Sequence, residues 1–126
     1  MRRNIRSGGP YEEVYGYCRA VRVGDTIHVA GTCAQEPNIE GCDAGQQAAA
    51  ALEIIADALD QAGASMADVV RTVTYIVDVD DTDLVAAAHR AVFAEVLPAA
   101  TLVEVSRLID PRLKVEIEAY AIVDED

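Results

Sequence analysis

Leu113-Lys114-Val115-Glu116-Ile117-Glu118-Ala119-Tyr120-Ala121-Ile122-Val123 decides the fold class of this chain. Val115, Ile117, Ala119, Ala121 and Val123 recur with period two, so they share one face of a strand laid on an apolar core. Glu116 and Glu118 project from a strand that is otherwise rich in apolar residues. A carboxylate on a half-buried strand is costly unless it has a partner or a task. One task is to hold a water or shuttle a proton. The plainer reading is a solvated or ion-paired carboxylate, with Arg107 or Arg112 as partner.

Working back from this strand, Asp110-Pro111 predicts a turn and Thr101 to Leu108 another strand. Pro98 stops a helix running from about Thr82 to Val96, whose apolar side is Leu84, Ala88, Val92 and Val96. Asp78, Asp80, Asp81 and Asp83 precede it, where acids satisfy free N–H groups and suit the helix dipole. Val69 to Val77 is dense in β-formers and predicts a buried strand. Gln46 to Ala62 predicts a strong helix, with Leu52, Ile55, Ala56 and Leu59 at helical spacing and Gly63 at its end. Gln35 to Gly45, with Pro37 and Gly41, predicts a loop long enough to serve a site. Val14 to Val23 and Thr26 to Gly31 predict a hairpin about Val23-Gly24-Asp25. The expected fold is a single α/β (α+β) domain over residues 1–126. Its order is β-β-α-β-α-β-β, a mixed sheet with two helices on one face. The other face still carries apolar side chains, so subunits are expected to cover it by association.

The 126 residues suit one domain that needs no staples. Hydrophobic residues make up 52% and charged residues 25%, a globular composition. With one Phe and no Trp, Ala and Val must fill most of the core. The formal net charge of −12 opposes binding to nucleic acid and to anionic membranes. Arg2, Arg3 and Arg6 form the only basic cluster and are expected to be a frayed tail. Met1-Arg2-Arg3-Asn4 leads into no apolar signal region, and no apolar run reaches the ~20 residues of a membrane span. A cytoplasmic protein is therefore expected. Cys18, Cys33 and Cys42 are odd in number and are expected to be free thiols.

Metal chemistry is disfavoured. Cys18, Cys33, Cys42, His28 and His89 have suitable atoms but lack the close pairs of structural zinc sites. The Asp78 to Asp83 cluster lacks the calcium-loop pattern and reads better as capping. No activating motif surrounds Cys33, and nothing in the sequence brings it to His28 or His89. Ser7-Gly8-Gly9-Pro10 leads into neither Lys-Ser/Thr nor a helix, so it is not a phosphate loop. No cofactor is expected.

The last third of the chain is more specific. Pro98-Ala99-Ala100-Thr101-Leu102-Val103-Glu104-Val105-Ser106-Arg107-Leu108, followed by Val115-Glu116-Ile117-Glu118-Ala119, resembles the RidA/YjgF family. Gly16-Tyr17, Val29-Ala30-Gly31-Thr32, Leu52 through Gly63 and Asp68-Val69-Val70 agree in family order. The resemblance implies a chorismate-mutase-like fold and a homotrimer whose three sheets form an inner barrel with helices outside. It also implies intersubunit clefts that bind small molecules. In the best-known branch these clefts hydrolyse reactive imines or enamines to keto acids and ammonia. There an arginine after Pro-Ala grips the substrate carboxylate, a glutamate on the final strand handles water, and a tyrosine lines the cleft.

Carried onto this sequence, the resemblance matches the tyrosine with Tyr17, the glutamate with Glu116 and the main-chain position with Gly31, beside Thr32. The arginine position is Ala100, and a methyl group cannot grip a carboxylate. The cleft residue two further on is Leu102, and a polar residue of the second helix is replaced by Ala86. The expectation is an arginine-less member with a more apolar cleft, and not an efficient 2-imino-acid deaminase. Arg19, on the same strand face as Tyr17, is a candidate replacement base, with an exposed strand residue as its plain reading. His89, one turn after Ala86, is a second candidate. Two functions stay open: an atypical imine or enamine hydrolase, or a non-catalytic binding or regulatory module.

Overall fold

The computed structural model describes residues 1–124. Six strands form one mixed sheet: β1 (Arg2–Ile5), β2 (Ala20–Val23), β3 (Thr26–Thr32), β4 (Val69–Ile76), β5 (Ala99–Glu104) and β6 (Val115–Ile122). Their order is β1-β2-β3-β6-β4-β5. Every pairing is antiparallel except β4 with β5. The helices are α1 (Glu12–Tyr15), α2 (Ala44–Gln61) and α3 (Thr82–Phe93). The fold is α+β, as expected, and α2 and α3 cover one face of the sheet.

β6 sits inside the sheet between β3 and β4, and its alternation explains why. Val115, Ile117, Ala119 and Ala121 are fully buried and join Leu52, Ile55 and Leu59 of α2 in the main core. Val85 and Phe93 bring α3 into the same core. Small alanines on α2, including Ala48, Ala51 and Ala58, let the helix lie close on the sheet. A capping box starts α2. The Asp43 carboxylate accepts from the Gln46 N–H at 2.8 Å, and the Gln46 side chain accepts from the Asp43 N–H at 2.8 Å. The helix opens at Ala44, two residues before the expected start at Gln46.

Several expectations are corrected. The arginine-rich terminus is not a frayed tail: Arg2–Ile5 pairs along β2 as the edge strand β1. An edge strand needs only its backbone to pair, and its charges face water and discourage further pairing. Val14 to Val23 is not one strand. Residues 12–15 form the single helical turn α1, Gly16 ends it in the left-handed region at φ 87°, and β2 begins only at Ala20. The element order is therefore β-α-β-β-α-β-α-β-β. β5 covers Ala99–Glu104 and stops short of the expected Leu108. The helix before it ends at Phe93, five residues before Pro98. Asp78 caps a short 3-10 turn, Val79–Asp81, rather than α3 itself.

Neither α2 nor α3 covers the second face of the sheet. On that face Tyr75 donates to Glu118 at 2.6 Å, and the Tyr120 hydroxyl also donates to Glu118. The bond to Glu118 pushes the Tyr75 phenol up to about 12. Neither Arg107 nor Arg112 pairs with the strand carboxylates, contrary to the plain reading of the sequence. Arg112 instead binds Asp110 at 2.9 Å and Glu36 at 2.8 Å. Among the described residues no helix is long and apolar enough to cross a membrane.

Candidate functional site

A cavity of about 820 Å³ opens where α1, the ends of β2 and β3, and two loops meet the start of β6. Tyr17, Arg19, Gly31 and Glu116 line it together, though they lie up to a hundred residues apart. Tyr11, Val14 and Tyr15 supply one wall; Ala34 and Ile39 supply another; Ile109 and Leu113 supply a third. The loop walls are held by one side chain. Gln47 of α2 is fully buried and donates to the carbonyls of Ile39 and Arg112 at 3.3 and 3.1 Å. Its carbonyl oxygen accepts from the Lys114 N–H at 2.9 Å. A buried amide satisfied at both ends fixes the two loops against the helix.

Glu116 leaves β6 on the face away from the helices and places its carboxylate directly over Gly31. A Cβ added at Gly31 would collide with that carboxylate and lie 2.9 Å from Glu116 Cδ. Glycine at this position is a matter of space. Cys33, at the end of β3, donates to Glu116 Oε1 at 3.5 Å. Burial, then the neighbouring Glu116 carboxylate, pushes the Cys33 thiol up to about 12.

Two predictions follow from this contact. At pH 8, iodoacetamide should alkylate Cys33 about a hundredfold or more slowly in the native protein than in the urea-unfolded chain, because the thiolate is the nucleophile. Peptide mass spectrometry reads the rate at each cysteine, and equal rates would contradict the arrangement. Gly31→Ala should expel the carboxylate and speed Cys33 alkylation at least about tenfold. An unchanged rate in that variant would mean that Glu116 keeps its place despite the added methyl.

Arg19 is buried, with 4% exposure, so it is not the exposed strand residue of the plain reading. Its guanidinium donates to the Gly31 carbonyl at 2.8 Å, Thr32 Oγ1 at 3.1 Å, the Tyr17 hydroxyl at 3.0 Å and Ser7 Oγ at 3.2 Å. It also pairs with Glu12 at 3.8 Å. Burial pushes the Glu12 carboxyl up. Hydrogen bonds from the Ser7 hydroxyl and the Gly9 and Ser7 amides outweigh that effect, with help from Arg19, and hold the carboxyl below its ordinary value. Arg19 therefore acts as a clamp on the floor of the cavity. Thr32 is 1% exposed and buttresses this clamp from behind the cavity wall.

The other expected site residues lie elsewhere in the protomer. Ala100 and Leu102 are on β5, the far edge strand, separated from β6 by β4. All six residues of β5 are exposed. His89 on α3 faces the sheet, with Nε2 2.8 Å from Thr72 Oγ1 and its ring packed on Phe93. Burial lowers its pKa. The three cysteines are free, and among the described residues no group of three or more His, Cys, Asp or Glu could hold a metal. Sequence reasoning missed Glu12, Tyr11 and Tyr15, and it named Arg112 only as a partner for the strand carboxylates. A Glu-Glu pair shortly before Arg19 was the available signal for the buried ion pair.

The family model described as Endoribonuclease L-PSP matches residues 11–123. The chain belongs to the YjgF/RidA family. Among solved structures, this YjgF/RidA member is similar to Rv2704 of Mycobacterium tuberculosis, itself described as a YjgF/YER057c/UK114 family protein. They share 43% identity and a TM-score of 0.91, over 98% of this chain and 100% of the other. It is 32% identical to the 2-iminobutanoate/2-iminopropanoate deaminase of Salmonella typhimurium over 112 residues, 84% of this chain and 86% of that protein. It is also similar to Escherichia coli TdcF, solved with bound serine: 26% identity and a TM-score of 0.78, over 97% of this chain and 94% of the other.

Proposed function

We propose that this protein is a homotrimer that binds a small metabolite in intersubunit clefts and hydrolyses an atypical imine or enamine there. The observation that carries this reading is the Glu116 carboxylate, seated over Gly31 in a large cavity beside the Tyr17 hydroxyl. The similarity to a 2-iminobutanoate/2-iminopropanoate deaminase supports the reaction class. The sheet face not covered by α2 and α3 and the wholly exposed β5 support assembly, because a protomer alone leaves them open. In the trimer, three sheets would form the inner barrel, and β5 would carry Ala100 and Leu102 to a neighbour's cavity. The net charge of −12 argues against RNA as a substrate.

The chemistry needs no cofactor. Glu116 holds a water and takes its proton as the oxygen adds to the C=N carbon, giving a carbinolamine. The carboxyl returns that proton to nitrogen. The C–N bond then breaks, ammonia leaves, and the hydroxyl proton is lost as the carbonyl forms. Tyr17, fixed by Arg19, orients the ligand.

Ala100 sets the limit on substrate. Without a cation there, 2-imino acids lose a charge-assisted bond of about 1.5–3 kcal/mol. The test is ammonia release from freshly generated 2-aminoacrylate. The wild type should be slow, and Ala100→Arg should raise kcat/KM about tenfold or more. No gain in the variant would mean that the cleft differs from the deaminating branch by more than this residue. The absent anchor also favours a second reading, a non-catalytic binding or regulatory module. That reading predicts ligand stabilisation without turnover of any imine.

A further inference from the structure

The charged groups around the Glu116 cavity leave little for an anion to bind. Both of its guanidiniums are committed to protein groups. Arg19 spends its donors on Ser7, Gly31, Thr32, Tyr17 and Glu12. Arg112 is held by Asp110 on two atoms and by Glu36 and Glu40. An incoming carboxylate would have to displace these partners and then sit near Glu116. Two guanidiniums and three carboxylates, Glu36, Asp110 and Glu116, line the cavity, and Glu12 and Glu40 add two more carboxylates against the guanidiniums from outside the lining. The field within the cavity favours a cation, and the charge of the whole chain has the same sign.

The walls describe the rest of the ligand. Tyr11, Val14, Tyr15 and Ile109 are large apolar side chains that stay exposed around the mouth, Val14 at 83% and Tyr15 at 85%. Tyr15 and Tyr17 meet edge to face with centroids 6.0 Å apart. The Arg19 guanidinium already lies 5.3 Å from the Tyr17 ring centre. The aromatic faces left to attract a ligand cation are therefore those of Tyr11 and Tyr15. The protomer's cavity of about 820 Å³ leaves room for such a ligand beside a neighbour's β5.

We infer that the cavity selects an apolar amine, or the iminium related to it: a cation with an aromatic or branched carbon skeleton and no carboxylate. This deepens the hydrolytic reading and rests on the same cavity. Glu116 would sit beside the cationic nitrogen, and the tyrosines and Ile109 would cover the carbon skeleton. A protonated imine is the reactive form for water addition, so the same field serves binding and chemistry.

The test uses three probes with one aromatic skeleton: 2-phenylethylamine (a cation at pH 7.5), 2-phenylethanol and phenylacetate. Calorimetry on the wild type should show the amine binding at least about tenfold tighter than the alcohol or the acid. Glu116→Gln should weaken the amine at least about fivefold and leave the alcohol within about twofold. Phenylacetate binding as tightly as the amine, equal loss for amine and alcohol, or no binding by any probe would each overturn the inference. A parallel assay measures ammonia release from 2-aminoacrylate and from 2-phenylethan-1-imine. Release that depends on Glu116, together with a preference for phenylacetate, would keep the hydrolytic reading and overturn the ligand class. Preference for the amine with no release from either imine would keep the ligand class and overturn hydrolysis.

Discussion

Glu116→Gln is expected to lower C=N hydrolysis by a factor of about 10²–10⁴, the usual contribution of a positioned general base. The substitution keeps the shape of the side chain and its fit over Gly31, but an amide cannot take a proton from water. Stability should change by less than about 1 kcal/mol, because a half-buried carboxylate with a thiol as its neighbour gives little net stabilisation. Ammonia release under single-turnover conditions reads the first quantity, and a urea midpoint reads the second. Undiminished hydrolysis in a folded variant would remove Glu116 from the chemistry. A variant that loses activity and stability together would point to a structural role instead.

Arg19→Met is expected to give the largest loss of stability, about 3–5 kcal/mol at neutral pH. Methionine keeps much of the volume and removes every donor. The Gly31 carbonyl, Thr32 Oγ1 and Tyr17 hydroxyl lose a partner, and Glu12 remains as a buried charge held only by Ser7 and Gly9. The acid side should change too. Glu12 has a folded pKa below its ordinary value. The stability it contributes is complete above the unfolded pKa and is lost as pH falls through the folded one. Removing Arg19 takes away one cause of that depression, so the variant should lose less of its remaining stability on acidification. Urea titrations at pH 7 and at about pH 4 measure both effects. A loss under about 1 kcal/mol would mean that water replaces the guanidinium.

Much of this architecture could be read from local pattern. The period-two alternation of Val115 to Ala121 placed β6 in the core, and the spacing of Leu52, Ile55 and Leu59 placed α2 on it. Both are long enough to express their periods. Residues 12–15 are not: one turn cannot show a 3.6-residue repeat, so α1 merged with the β-forming residues after it. Arg2–Ile5 has no apolar alternation because an edge strand needs only backbone partners. The cavity was legible in part. Tyr17, Gly31 and Glu116 lie at recognisable positions, and the structure brings them together. Burial of Arg19 was not legible, because it depends on Glu12 returning across the turn at Gly16. The loop walls were not legible either, since Gln47 reaches both from a helix and its register says nothing about its contacts.

β5 has a consequence for how such proteins diversify. Its six side chains are exposed in the protomer, and none belongs to the core. Residue 100 can therefore change between arginine and alanine with little effect on whether the chain folds. Gly31 has no room for a side chain while Glu116 keeps its place, and Arg19 is buried among its hydrogen-bond partners, so changes there carry a structural cost that residue 100 does not. The scaffold thus separates a packed, hydrogen-bonded part of the site from a strand open to one-step variation. A lineage could cross from one ligand class to another at residue 100 without passing through an unstable intermediate.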